Sequence, residues 1–273
     1  EDGRFDVVFP LLHGPYGEDG CIQGLFELQG LPYVGAGVAA SAVGMDKQLS
    51  RAVFTAAGLR QTEYRVIQRS HWHGNPDSVL KDLQEALTYP LFVKPVNLGS
   101  SVGISKVYNS SQLVDAVDLA GAYDTKIIVE ASVEKARELE CALLGNTNPE
   151  ASGVGEIIPN AEFYSYDAKY NDNCAELIIP ADLEKPVTRR IQDMAVRAFQ
   201  AIDCSGLARV DFLIAPDGQV LINEINTMPG FTPISMYPKL WEAAGVSYPE
   251  LIHRLIEYAK MRFMDRADLN TSW

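Results

Sequence analysis

The sequence has no Cys-x-x-Cys pair; Cys21, Cys141, Cys174 and Cys204 are scattered singly through 273 residues. That spacing supports neither a zinc ribbon nor a dithiol redox motif, and it reads as small buried hydrophobes in a reducing compartment. No apolar run approaches the ~20 residues of a membrane span. The opening Glu-Asp-Gly-Arg lacks the pattern of a signal peptide. No repeat, low-complexity tract or Lys/Arg cluster is present, and 23 Lys+Arg against 36 Asp+Glu give a net charge of −13. These absences predict a cytoplasmic protein with no membrane and no nucleic-acid partner. An acidic chain can still bind an anion such as ATP, through a few placed lysines and a metal ion. Apolar residues at 47% and charged residues at 22% exclude general disorder, and the length suits roughly one to three domains.

Residues 5–12 are a short apolar run that predicts a buried parallel strand, followed by the Gly- and Pro-rich loop His13 to Gly20, a short helix over 22–28 and a second strand over 31–34. Strand, glycine loop, helix, strand is a doubly wound α/β pattern. About 35 residues are too few to cover both faces of such a sheet, and no initiator Met is present. The expectation is therefore an incomplete N-terminal α/β domain over 1–45, from a protein roughly 80–100 residues longer.

A helix is expected from Asp46 to Ala57, with Asp46 as N-cap and Gly58 just past its end. Strands over 62–67, 91–95, 104–107 and 126–130 and helices over 76–87 and 110–119 complete a small α+β unit, residues 46–130. In the remainder, 131–273, strands are expected at 139–144 and 155–158. Residues 160–176 form a polar, irregular loop long enough to be functional and mobile. Helices are expected over 182–202, with Pro186 in the first turn, and from the capping box at Ser247 to about Phe263. Strands 208–214 and 219–225 are joined at Ala215-Pro-Asp-Gly218, a hairpin signal.

That hairpin carries the densest chemistry. With a loop of two or four residues Ile214 faces Gln219, Asp211 faces Ile222 and Arg209 faces Glu224. Asp211, Glu224 and Asn226 then project from one face beside Arg209. A three-residue bulged loop would break the arrangement. Two carboxylates and an amide oxygen are hard ligands suited to Mg²⁺ or Mn²⁺ bridging phosphates; a polar solvent face is the plainer alternative. The tail Thr227-Met-Pro-Gly230 can aim a backbone N–H at a reacting oxygen. Lys94 lies inside an apolar strand, where an ammonium is costly without an anion. The loop Gly99-Ser-Ser-Val-Gly103 that follows can fold over phosphates, although it is no Walker A motif and an ordinary hairpin loop would look similar. Lys47 is a third candidate cation, or else a solvated surface lysine. His13 closes the first strand where α/β ligands bind. His71 and His73 are placed in a surface loop, and His253 is structural.

His13-Gly-x-x-Gly-Glu-Asp-Gly20, Lys94 with its Gly-Ser-Ser-Val-Gly lid, Lys169-Tyr170, and Arg209-x-Asp with Asn223-Glu-Ile-Asn-Thr-x-Pro-Gly230 together resemble the D-alanine–D-alanine ligases. The likeness runs from residue 5 to about 262 and implies an ATP-grasp fold, with an N-terminal α/β domain followed by central and C-terminal domains that grip ATP. It implies that Lys47, Lys94 and Lys169 contact phosphates, with Ser101 in the lid. Glu130 would accept from the adenine amino group, Ala131 and Val133 would offer backbone groups, and Glu138 would bind the ribose. Asp211, Glu224 and Asn226 would hold two Mg²⁺ ions. His13 would lie near the first D-alanine; Ser235 and Lys169 would receive the carboxylate of the second, and Met236 would line its subsite. Ser100 and Tyr170 would belong to a hydrogen-bonded set closing the polar loop; the third member, an early glutamate, has no match here.

The implied reaction begins with attack of one D-alanine carboxylate on the γ-phosphorus of ATP. The resulting acyl phosphate is attacked by the amine of the second D-alanine. Arg209 and the Gly230 N–H would stabilise the oxyanion, while loop 160–176 excludes water. The product serves peptidoglycan synthesis, and a homodimer is allowed for. The alternatives are a D-alanine–D-lactate ligase, which Lys169-Tyr170 disfavours, and a nucleotide-binding module without chemistry.

Overall fold

The computed structural model describes residues 5–99, 102–159, 175–232 and 234–269. The N-terminal segment contributes one helix, α1 (Cys21–Gln29). The two expected strands at 5–12 and 31–34 reduce to a single parallel bridge between Val8 and Tyr33, closed by Val8 N–H to Pro32 O at 2.8 Å and Val34 N–H to Val8 O at 2.9 Å. A parallel pair with no third strand has too little ladder to be stable alone. A helix that the sequence reading missed, α2 (Val38–Met45), runs into α3 (Lys47–Ala56). The Asp46 side chain caps α3, accepting from Gln48 N at 2.9 Å and Leu49 N at 3.0 Å, and it also pairs with Lys126. Loss of such a cap removes about 1 kcal/mol. Asp46→Ala should therefore lower the unfolding free energy by about 1–2 kcal/mol in urea titration, and Asp46→Asn, which keeps the acceptor, should recover most of the cap term.

The first sheet has the order β1-β4-β2-β3 and is antiparallel throughout: β1 (Tyr64–Gln68), β2 (Leu91–Pro95), β3 (Ser105–Val107) and β4 (Lys126–Ala131). Its apolar face packs on α4 (Arg69–Gly74), α5 (Pro76–Ala86) and α6 (Ser110–Tyr123), with Ile67, Trp72, Leu83, Leu113 and Val129 in the core. His71 and His73 lie in α4 rather than in a loop. Burial of Trp72, whose Nε1 donates to Asp118 at 2.6 Å, winds this segment and leaves both histidines exposed.

The second sheet has the order β7-β6-β5-β8-β9: β5 (Arg137–Gly145), β6 (Glu150–Pro159), β7 (Ala175–Ile178), β8 (Gly206–Ile214) and β9 (Val220–Asn226). Residues 175 and 176, expected in the irregular loop, are the first residues of β7. The period-two alternation of β5 and β8 explains the layering. Leu139, Cys141, Leu143, Ala208, Val210 and Phe212 face α7 (Lys185–Ala201). Ala142, Leu144 and Leu207 face α8 (Met236–Ala243) and α9 (Tyr248–Ala267). Further along that second face the alternate positions become Glu140, Arg209 and Asp211, so one sheet surface turns from apolar to ionic within two residues. Cys141 and Cys204 are buried, and burial pushes each thiol up to about 12. Cys21 is exposed at the start of α1, against the expectation of a buried thiol. His253 sits on the solvent side of α9.

Candidate active site

The ionic patch is built by β5, β8 and β9. The tip of the hairpin holds an odd number of residues instead of the expected two or four: Ala215 N–H bonds Gln219 O at 2.9 Å, leaving three residues between them, and Ile214 pairs with Val220. That geometry alone would put Glu224 on the wrong face. A β-bulge opposite the Asp211–Phe212 step inserts Asn223 as an extra residue and restores the register. Asp211 therefore pairs with Glu224, and Arg209 with Asn226. The expected convergence on one face holds, with different partners and for a different reason.

Arg209 grips Asp211 through two bonds of 2.7 Å, and its Nε lies 3.0 Å from Glu140 Oε2. Asn226 Nδ2 donates to Asp211 Oδ2 at 3.1 Å. Burial opposes the charge on Arg209, but Asp211 and Glu140 outweigh it and raise its pKa. Asp211 and Glu224 are like charges directly opposite on a partly buried face, a destabilising placement unless cations meet it. Arg209 supplies one cation. Lys47, the first residue of α3, places Nζ 3.9 Å from Glu224 and donates to Leu98 O at 2.7 Å. Burial lowers the pKa of Lys47, with Glu224 partly restoring it. Among the described residues no three His, Cys, Asp or Glu side chains gather into a metal-binding group. The donor set still fits Mg²⁺, which is commonly held by one or two carboxylates together with substrate phosphates.

The opposing wall comes from the first sheet. Glu130 on β4 is buried; its Oε1 accepts from Arg51 at 2.7 Å and its Oε2 from Lys94 at 2.7 Å. Burial alone would raise the pKa of this carboxyl, but Lys94 and Arg51 override it and hold it at about 2. Each carboxylate oxygen can accept a further bond. Arg51, on α3, also reaches Thr62 and lies over the Tyr64 ring at 5.0 Å. Ala131 has its N–H committed to Glu63 O at 2.9 Å, so only its carbonyl is on offer. Val133 follows β4, and Glu138 is exposed on β5.

The N-terminal loop closes a third side. His13 Nδ1 donates to Met228 O at 3.1 Å. Gly14 N–H donates to Glu18 Oε2 at 2.5 Å. Burial raises the pKa of Glu18, while Gly14 and His13 moderate the shift, and both Glu224 and Arg209 act on it electrostatically. Ser235 stands at the N-terminal end of α8 without bonding the helix; its Oγ is bonded to Thr232 Oγ1 at 2.8 Å, and Met236 is buried behind it. A Cβ on Gly230 would meet Ser235 Oγ at 2.9 Å, so a larger residue there would have to turn that hydroxyl aside. Ser100, Ser101, Lys169, Tyr170 and the rest of 160–174 lie outside the described residues.

The family model for the D-ala D-ala ligase C-terminus matches residues 53–257, and that for the N-terminus matches residues 1–36. A D-alanine–D-alanine ligase of Acetivibrio thermocellus is 54% identical over 96% of this chain and 70% of its own length. The chain belongs to the D-alanine–D-alanine ligase family. A second such ligase, from Bacillus velezensis, is 53% identical over 97% of this chain and 75% of its own. The ligase structure from Coxiella burnetii superposes with a TM-score of 0.83 at 43% identity, over 96% of this chain and 70% of that one. The VanG D-Ala:D-Ser ligase of Enterococcus faecalis gives 0.84 at 38% identity, over 93% and 73%. The fold is therefore the ATP-grasp fold expected from the resemblance.

Three residues in this ligase site had no assigned role in the sequence: Arg51, Glu140 and Glu18. Arg51 and Glu130 lie 79 positions apart, and no local pattern joins them. Glu140 was legible only as a charge interrupting an apolar strand. Glu18 stands inside the His-Gly-x-x-Gly-Glu-Asp-Gly motif, and its burial is the signal that composition does not carry.

Proposed function

We propose that this chain grips ATP between the two sheets and joins two D-alanines through an acyl phosphate. ATP-dependent ligation for peptidoglycan is the role of its family, which implies ATP and a divalent metal. The observation that supports the reading best is the meeting of Asp211, Glu224, Asn226 and Arg209 on one face, with Lys47 reaching it from α3. In this reading Asp211, Glu224 and Asn226 hold two Mg²⁺ ions, which when bound neutralise phosphoryl charge. Lys47 and Lys94 orient the phosphates, and Glu130 fixes Lys94 while its remaining lone pairs accept from the adenine amino group. Glu138 takes the ribose. Arg209, held in place by Asp211 and Glu140, points its charge at the tetrahedral oxyanion together with the Gly230 N–H. His13 stands beside the first D-alanine, and Ser235 and Met236 line the second subsite. Lys169, Ser100 and Tyr170 complete the closure in this reading. No described helix is long and apolar enough to cross a membrane; a cytoplasmic location follows from the substrates.

The test is ADP release with D-alanine alone and with D-alanine plus D-serine or D-lactate as acceptor. ADP formation that requires D-alanine and yields mainly the D-alanine dipeptide is expected. ADP release indifferent to D-alanine would sink the reading, and preferential use of D-serine would move the chain towards the selectivity that the VanG name describes.

A further inference from the structure

The sequence shows no run of basic residues, yet folding assembles one. A cavity of about 460 Å³ opens between the segment after α3 and the exposed side of α7, lined by Gly58, Arg60, Arg189, Arg190, Asp193 and Arg197 among others. Four guanidinium groups face one carboxylate there, in a protein of net charge −13. Arg197 has a structural partner, donating to Ala57 O at the end of α3. Among the described residues the side chains of Arg60, Arg189 and Arg190 have none. Every other described arginine donates to at least one protein acceptor: Arg51, Arg65, Arg69, Arg137, Arg209, Arg254, Arg262 and Arg266. The arginines left without a protein acceptor among the described residues are therefore confined to this one cavity.

Placing three exposed guanidiniums together carries a repulsion that a solvated surface has no need to accept. Each presents a rigid fork of donors that matches phosphate oxygens two at a time. We propose that this cavity is a second anion site, taking a compact polyphosphate group through Arg60, Arg189 and Arg190. It is separate from the ATP site. Lys47 and Gly58 lie at opposite ends of α3, whose ten residues span ~15 Å at 1.5 Å per residue. An anion bound here would tie Arg60 to α7. Because Ile222 N–H donates to Arg60 O at 2.9 Å, the clamp would also brace the strand that carries Glu224. Asp193 sets the limit on charge: a carboxylate in the wall selects for a ligand that brings more than one negative charge and engages the arginines on the far side.

Inorganic tripolyphosphate is the probe, measured by titration calorimetry on the intact protein, first alone and then with the ATP site saturated by a non-hydrolysable ATP analogue. Binding that persists beside the analogue, and that weakens by roughly tenfold for each of Arg60→Gln, Arg189→Gln and Arg190→Gln, is the expected result. Affinity for the analogue should be unchanged in all three variants, which also reports that they fold. Tripolyphosphate wholly displaced by the analogue would overturn the proposal, as would equal binding to the triple variant. Displacement by 0.1 M chloride as readily as by phosphate would show general screening rather than a site, and would overturn it too.

Discussion

Glu224→Gln should lower kcat by about 10²–10³-fold, the range seen when one preorganised group facing the developing charge is removed. The substitution keeps the size of the side chain and one acceptor oxygen, so the hairpin should stay folded. Its charge is what serves: Glu224 is the carboxylate across from Asp211 and the one that faces Lys47. The effect should fall on kcat more than on the KM for D-alanine, because in the proposed reading the group acts on phosphoryl charge. Raised Mg²⁺ should rescue only part of it. A variant within threefold of the parent at saturating Mg²⁺, with an unchanged unfolding curve, would remove Glu224 from the metal-binding set. That outcome would leave the Arg209–Asp211–Glu140 cluster as a purely structural ion network.

The largest stability effect should come from Arg51→Met. Arg51 is 2% exposed and holds Glu130, which is 4% exposed. Removing one partner of a buried pair leaves a charge without compensation and typically costs about 3–5 kcal/mol. Here Lys94 remains on the other oxygen, so the lower part of that range is expected, read from urea unfolding at pH 7. The pH dependence gives a second check. Glu130 titrates at about 2 in the fold against the ordinary value of 4.5, so its contribution is present above pH 4.5 and is lost as pH falls towards 2. Without Arg51 the folded pKa rises, and acid unfolding should begin at higher pH. The double variant Arg51→Met/Glu130→Gln should be more stable than Arg51→Met alone, because the stranded charge is gone. A single variant that loses under 1 kcal/mol would mean that Lys94 alone satisfies the carboxylate.

Much of the architecture was legible because its signals are local. Asp46, Ser247 and Pro186 mark helix starts by chemistry that acts within one turn, and each stands at or beside the start of a helix. Strand alternation in β5 and β8 was readable for the same reason. The Val38–Met45 helix escaped because it is apolar nearly all round, with no polar stripe to set a period. The N-terminal strands were over-read: β-forming composition states a preference, and pairing needs neighbours. In the site, Asp211, Glu224, Asn226 and Arg209 were found together although the hairpin register was not, since alternation survives a paired error in loop and bulge. Arg51, Glu140 and Glu18 are joined to their partners only through the tertiary fold.

The bulge at Asn223 bears on how the gene can change length. Strand β9 carries one residue more than its pairing with β8 uses, sited between Ile222, which faces the α7 core, and Glu224, which faces the ionic side with Asp211. Loss of that codon would leave Ile222 opposite Phe212 and Glu224 opposite Asp211, with the ladder now regular. A codon lost or gained anywhere from 207 to 212 has no such slack, since it would swing Asp211 or Arg209 into the hydrocarbon layer beneath α7. Insertions and deletions in this hairpin should therefore accumulate at its tip and at the bulge, and the arm bearing Arg209 and Asp211 should hold a fixed length.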